Sequence, residues 1–226
     1  MLLPSLLLLV AVAGCDTVDR FRGGGQTAFS GDSALAYAQA QVAFGPRVPG
    51  TEPHRRAGDW IAEQMRARAD TVIVQTWTHV TANGDSLPMR NFFARIRPDL
   101  PRRVLYVVHW DTRPTADNDR NLGARRRPIP GANDGASGVG LLVALADALK
   151  ESPPTVGVDL LFVDGEDYGA FENPVEDTTL NRDVLIGSRW FANHMPPGYE
   201  PIFGVVFDMI GDANLNIYQE GHSVTA

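Results

Sequence analysis

The stretch Val158-Asp159-Leu160-Leu161-Phe162-Val163-Asp164-Gly165-Glu166-Asp167-Tyr168-Gly169 limits most strongly what this chain can become. Its apolar run is short, β-branched and aromatic. Gly157 and Gly165 bound it, which predicts a buried strand rather than a helix. The strand runs directly into a turn that carries Asp164, Glu166 and Asp167. Open α/β sheets gather their ligands at the carboxyl ends of strands. The adjacent Glu166 and Asp167 repel at close range. A partly buried cleft tolerates them when a cation lies between them or one keeps a proton.

The remaining segments supply the partners of that strand. Val104 to His109 is a second continuous apolar run and predicts a central strand. Gly204 to Asp208 predicts a third buried one. Val72 to Trp77 and Asn91 to Ile96 predict strands near a two-residue hairpin turn at Asn83-Gly84. Helices are expected over Ser33 to Phe44, capped by Asp32 or Ser33, and over Pro53 to Ala69, with Ala57, Trp60, Ile61 and Met65 on one face. Further helices are expected over Gly138 to Lys150 and Asp183 to Met195. Strands alternating with helices of this length argue for α/β layers around a largely parallel centre, and the early hairpin makes the sheet mixed.

A chain of 226 residues can bury one sizeable core. Its net charge of −7 argues against nucleic acid as a partner, because phosphate binding needs a clustered positive excess. Cys15 is the one cysteine, so no internal disulfide is possible. Leu6 to Val12 before it is apolar, too short to span a bilayer and of the length of a signal-peptide core. Val12-Ala13-Gly14-Cys15 resembles the lipobox of bacterial lipoproteins, in which the cysteine becomes the lipidated first residue. The expected organisation is a signal segment over 1–15, a Gly-rich tether over 16–32 and one catalytic domain over 33–226. The expected location is the bacterial cell envelope, lipid-anchored or secreted, with the membrane touched through the lipid only.

Three central strands each end in an acid or a histidine: His109 with Asp111, then Asp164 with Glu166 and Asp167, then Asp208. Between the first two, Gly131-Ala132-Asn133-Asp134-Gly135-Ala136-Ser137-Gly138 opens a Leu-rich helix. Taken singly, these residues read as a half-buried histidine, a helix cap and solvated acids. Jointly they bring several carboxylates and one imidazole to one sheet edge. Zinc accepts that donor set in catalytic sites that keep an open position. The histidines His54 and His79 read as surface residues, and His194 as a polar position near a helix end. No Gly-rich phosphate loop with its lysine is present, so a phosphate-binding α/β protein is disfavoured.

His109-x-Asp111, the 131–138 segment, Asp164-Gly165-Glu166-Asp167, Gly187-Ser188-Arg189 and Asp208-Met209-Ile210-Gly211 together resemble the M28 family of zinc exopeptidases, closest to its glutaminyl-peptide cyclotransferase branch. Gly45-Pro46-Arg47-Val48-Pro49-Gly50 and Asn91-Phe92-Phe93-Ala94 resemble family segments as well. The resemblance implies a three-layer αβα sandwich with a mixed, largely parallel central sheet. It implies one or two zinc ions, with Asp134 as the central ligand, Asp167 where the family usually has Glu, and His109 and Asp208 as ligands of a second zinc in the peptidases, or as residues near the site that need not bind metal in the cyclotransferases. Glu166 then falls on the general acid/base and Asp111 on the acid that orients His109. The implied substrate is a peptide taken by its N-terminus. The implied reaction is cyclisation of N-terminal glutamine with release of ammonia, or else hydrolysis of the first peptide bond, with an inactive fragment as a third possibility. The Gly187-Ser188-Arg189 helix start, the insert Phe171 to Arg182 and the lack of an inserted domain after Gly50 favour the cyclotransferase branch. The family draws a further histidine ligand from beyond position 226, so the sheet and the ligand set are expected to be incomplete at the C-terminus. His222 is near the expected edge but in a different sequence context.

Overall fold

A computed structural model describes residues 29–169 and 183–216. They form helices α1 (Gly31–Val42), α2 (Glu52–Arg66), α3 (Ala136–Glu151) and α4 (Ile186–Asn193) and strands β1 (Thr71–Val80), β2 (Ser86–Ile96), β3 (Arg103–His109), β4 (Gly157–Val163) and β5 (Phe203–Val206). The strand order is β1-β2-β4-β3-β5. β1 and β2 form an antiparallel hairpin, and β2 runs antiparallel to β4. β4, β3 and β5 are parallel. The sheet is therefore mixed, and its parallel strands deliver their carboxyl ends to one edge.

Every residue of β4 is buried, as its apolar run Leu160–Val163 requires of a strand covered on both faces, and Asp159 is buried with them. On one face Leu160 and Phe162 pack with Phe92, Val108 and Trp110 against Ile61 and Met65 of α2 and Leu142 and Val143 of α3. On the other face Leu161 and Val163 pack with Phe93 against Phe191 of α4 and Tyr199. The result is three layers, with α1 lying on α3. Among the described residues no helix is long and apolar enough to cross a membrane.

Four local expectations shift. The cap of α1 is Ser30, whose hydroxyl accepts from Ser33 N at 3.1 Å, so residues 31 and 32 belong to the helix rather than to a tether. The hairpin loop spans Thr81–Asp85. Thr81 N donates to Asp85 O at 2.8 Å, and Gly84 takes the positive φ of 89° that the tight return needs. α4 starts at Ile186, because Leu185 adopts a left-handed φ of 53° that no helix continues. β5 is an edge strand rather than a buried one: Phe203 is 52% and Val206 66% exposed. It pairs with β3 on one side, and among the described residues nothing pairs with its other side.

Candidate metal centre

His109 is the last residue of β3, and its ring is buried. Nε2 lies 2.9 Å from Asp134 Oδ1 and 3.5 Å from Asp208 Oδ1, while Nδ1 lies 3.4 Å from Asp111 Oδ1. Ligand atoms of His109, Asp134 and Asp208 all fall within 4.8 Å of one another. Asp167 stands next to this group, close enough for its charge and that of Asp134 to act on each other. The structure thus brings together His109, Asp111, Asp134, Asp167 and Asp208 from four segments. Glu166 stands beside them, close enough to feel the charges of His109, Asp111, Asp208 and Asp134.

Each segment is fixed by identifiable contacts. Asp134 precedes Gly135, the residue before α3, whose φ is 90°. A β-carbon there would meet Asp111 O at 2.8 Å, so only glycine lets this turn approach β3. Asp134 makes no helix cap, which leaves its carboxylate to the cluster. Asp208 follows β5. Its loop is tied to α3 by Gly211 N donating to Asn133 Oδ1 at 2.7 Å and Ile210 N donating to Ser137 Oγ at 3.2 Å.

The acid turn after β4 is held at nearly every backbone group. Glu166 N and Asp167 N donate to the two oxygens of Asp111 at 2.9 and 3.1 Å. Leu185 N, Ile186 N and Gly187 N donate in succession to the carbonyls of Glu166, Gly165 and Asp164. Asp111 therefore does two jobs, steering His109 and seating the Glu166-Asp167 backbone.

Three residues outside the expected set support the site. Arg47 is fully buried and donates to the carbonyls of Trp110, Pro130 and Gly131 at 3.0, 3.0 and 2.6 Å. It thereby ties the His109 segment to the Asp134 segment. His54, expected at the surface, is buried, with Nε2 2.8 Å from Asp164 Oδ1 and its ring stacked 4.2 Å from Trp110. The other Asp164 oxygen accepts from Arg90 N at 2.7 Å, so Asp164 anchors the turn rather than facing the cluster. Asn91 accepts from Asp164 N and donates to Gly187 O. Sequence alone hinted at Arg47 and Asn91 only as parts of recurrent segments. For His54 no signal existed, because its partner lies 110 residues away. His79 is half-buried and paired with Asp183 at 2.8 Å, again not a free surface residue. His194 is exposed at the end of α4, as expected. Cys15, the insert Phe171 to Arg182 and His222 lie outside the described residues.

The electrostatics are those of a cation site. Burial lowers the pKa of His109, but hydrogen bonds and charge from Asp111, Asp134 and Asp208 outweigh it and raise the imidazole well above the usual histidine range. The carboxylates thus recruit a positive charge to the place where their oxygens converge. Asp134 is held below the usual carboxylate range, first by its hydrogen bond to His109. Burial raises Glu166, with the neighbouring carboxylates adding to it. Burial and the Asp134 charge push Asp167 up to about 7. One imidazole nitrogen plus several carboxylate oxygens, with one carboxyl reluctant to ionise without a cation, fits a zinc-type donor set. An apolar cavity of about 550 Å³ lies between α1 and the start of α3, lined by Phe29, Leu35, Val42, Asn133, Ser137 and Ile210.

The chain is similar to proteins of known class. A curated "Probable zinc metalloprotease" of Pyricularia oryzae is 34% identical over 189 residues, 72% of this chain and 37% of that protein. The solved glutaminyl cyclase of Porphyromonas gingivalis shares 38% identity with a TM-score of 0.81, over 88% of this chain and 67% of that one. The glutaminyl cyclase of Tannerella forsythia shares 40% with a TM-score of 0.79, over 87% and 67%. A structure described as a leucine aminopeptidase precursor from Bacteroides thetaiotaomicron shares 37% with a TM-score of 0.77, over 82% and 64%. The chain spans little more than a third of the fungal protein and about two-thirds of the solved ones. The sequence pattern of Peptidase family M28 matches residues 91–225, more than half of the chain, and the chain belongs to that family.

Proposed function

We propose that this chain carries the active site of a zinc-dependent enzyme that cyclises N-terminal glutamine of peptides to pyroglutamate, releasing ammonia. The observation that carries the reading is the likeness to glutaminyl cyclases at 38% and 40% identity over nearly the whole described chain. It is joined to a site in which a half-buried glutamate stands beside a converging set of zinc-type ligands. Asp134 and Asp167, with His109 and Asp208, would hold the metal. When bound, zinc supplies a Lewis acid for the substrate's amide carbonyl. Glu166 does the proton work. It takes a proton from the substrate's α-amine as that nitrogen attacks the γ-amide carbonyl carbon. A ring C–N bond forms, the bond to the amide nitrogen breaks, and Glu166 returns the proton to the departing ammonia. The raised pKa of Glu166 suits a group that must hold that proton between the two events.

A second reading rests on one feature. His109, Asp134 and Asp208 close a ligand set apart from the Asp134–Asp167 pair, which leaves room for two cations. Two-cation sites suit hydrolysis, and in an aminopeptidase Glu166 would take its proton from an attacking water instead. Ammonia release from a glutaminyl peptide, measured before and after chelator treatment and zinc return, tests the proposal. The expected result is loss and recovery of ammonia release. Release that survives chelation contradicts it.

The proposal extends to the location. Lipidation of Cys15 would tether the domain to a bacterial envelope membrane, supported by the apolar run and Val12-Ala13-Gly14 before it. Incorporation of a labelled fatty acid that C15A abolishes is the expected result. Labelling that persists in C15A rules the anchor out.

A further inference from the structure

We propose that the loop 113–130 is a docking surface for acidic side chains that follow the N-terminal residue of the peptide, an inference that rests on the peptide N-terminus reading above. The loop leaves the site at Thr112 and re-enters it at Gly131. Both ends are clamped by Arg47, through Thr112 N to Arg47 O at 3.1 Å and Arg47 to Gly131 O. Between them stand five arginines and two aspartates, in a chain whose net charge is −7. The loop is built, with its arms joined by Ala116 N to Arg127 O at 2.8 Å and Ile129 N to Arg113 O at 3.3 Å. Its tip is turned by Ala124 N to Asn121 O and Arg127 N to Ala124 O.

The acids of the loop are engaged locally. Asp117 pairs with Arg113 at 3.2 Å, and Asp119 accepts from Asn121 N at 2.7 Å. Arg120, Arg125, Arg126 and Arg127 are exposed. Exposed charges add little to stability, so packing does not account for this cluster. Arg113, at the base, lies near enough to Asp134 and Asp167 for its charge to act on both.

The field over the site therefore has two poles. A negative floor suits the substrate's α-ammonium, and a positive rim suits carboxylates further along. Ala116, paired with Arg127, is three residues from Arg113, at most about 10 Å along the chain, so an extended peptide bound by its N-terminus brings about its third to fifth residues within reach. Such forces fade over about 8–10 Å at physiological salt, which confines them to ligands already held at the site. Because both ends of the loop meet the candidate site, and the chain as a whole carries a charge of −7 that repels extended polyanions, a peptide is favoured over a membrane or a nucleic acid.

The test uses zinc-loaded E166Q protein, in which the proton carrier is removed, and C-terminally labelled peptides beginning with glutamine. The peptides carry Asp, Ser or Lys at positions three to five, and binding is read by fluorescence anisotropy. Acidic peptides are expected to bind about 3–10-fold more tightly than neutral ones, and basic ones more weakly. The preference is expected to vanish in about 0.5 M salt and in the further variant R125Q/R126Q/R127Q. Wild-type turnover of the neutral peptide is expected to be unchanged by that triple substitution. Equal binding of the three peptides overturns the docking surface and leaves the enzyme reading intact. Failure of every peptide to bind overturns both. Arginine-dependent flotation with phosphatidylserine vesicles, without a peptide preference, reassigns the loop to lipid and also overturns the proposal.

Discussion

Glu166 has its N–H seated on Asp111 and its carbonyl taken by Leu185 N, so its backbone is held in place for the proton transfer proposed for its side chain. Replacing it with Gln keeps the shape and removes the base. E166Q is expected to lower kcat about 10²–10⁴-fold with zinc affinity and melting temperature close to wild type. Retained turnover would assign the proton transfer elsewhere. Asp167 carries a pKa of about 7, so metal must displace its proton at acid pH. Above that pH the group is already ionised. Below it, zinc affinity is expected to fall by up to about tenfold per pH unit from this residue alone, measured by competition with a chelator from pH 5.5 to 8. Affinity that is flat across that range, or that rises toward acid, contradicts the assignment. Arg47 donates to three carbonyls, of which Gly131 O keeps a second partner in Ala136 N, and R47M removes all three bonds at a cost of about 3 kcal/mol. A matching drop in zinc affinity, read from the cobalt-substituted spectrum, is expected because both ligand segments lose their tie.

The candidate ligands were legible because each is an acid or histidine where an apolar run stops. Arg47 and His54 were not, because an Arg-to-carbonyl clamp and a His–Asp pair depend on partners 63 and 110 residues away.

At the level of elements, β3 and β4 could be read directly, since a strand buried on both faces must be apolar throughout. The start of α4 could not. Asp183 O and the N–H groups of Leu185, Ile186 and Gly187 pair with the acid turn, and Leu185 bears a left-handed φ just before the helix starts. Gly187 shows how tight that junction is: a β-carbon would lie 2.4 Å from Asp164 N and 2.5 Å from Asn91 Oδ1. G187A is expected to push α4 off the turn, with a stability loss of about 1–3 kcal/mol. A larger fall in kcat than in substrate affinity is also expected, because the displaced carbonyls are those beside Glu166. Wild-type kinetics with an unchanged melting temperature would show that α4 does not seat the turn. The burial of β5 was misjudged for a different reason. Its composition matches the central strands, but edge position is a property of pairing order, which composition does not encode.

Across the whole molecule, the end of the sheet away from the metal centre is locked by a buried ionic cluster. Asp159 is fully buried, with Arg103 Nε at 2.6 Å, Arg95 Nε at 3.1 Å and the Tyr199 hydroxyl at 2.9 Å. D159N unbalances two arginines and is expected to cost about 3–5 kcal/mol in urea unfolding. Zinc affinity of the folded protein should be unaffected, because the cluster lies at the opposite strand ends. Loss of zinc affinity in parallel would mean that the two ends are coupled. The layer architecture was readable from the alternation of elements. The order β1-β2-β4-β3-β5 was not, since it depends on contacts between segments far apart in the chain. These layers converge on a candidate zinc site, and cyclisation of N-terminal glutamine there is what we propose. Its most direct test is the mass of a glutamine-initiated peptide after incubation with the zinc-loaded chain. The expected product is lighter by one ammonia with its length intact. Loss of the whole first residue, or an unchanged peptide, contradicts it.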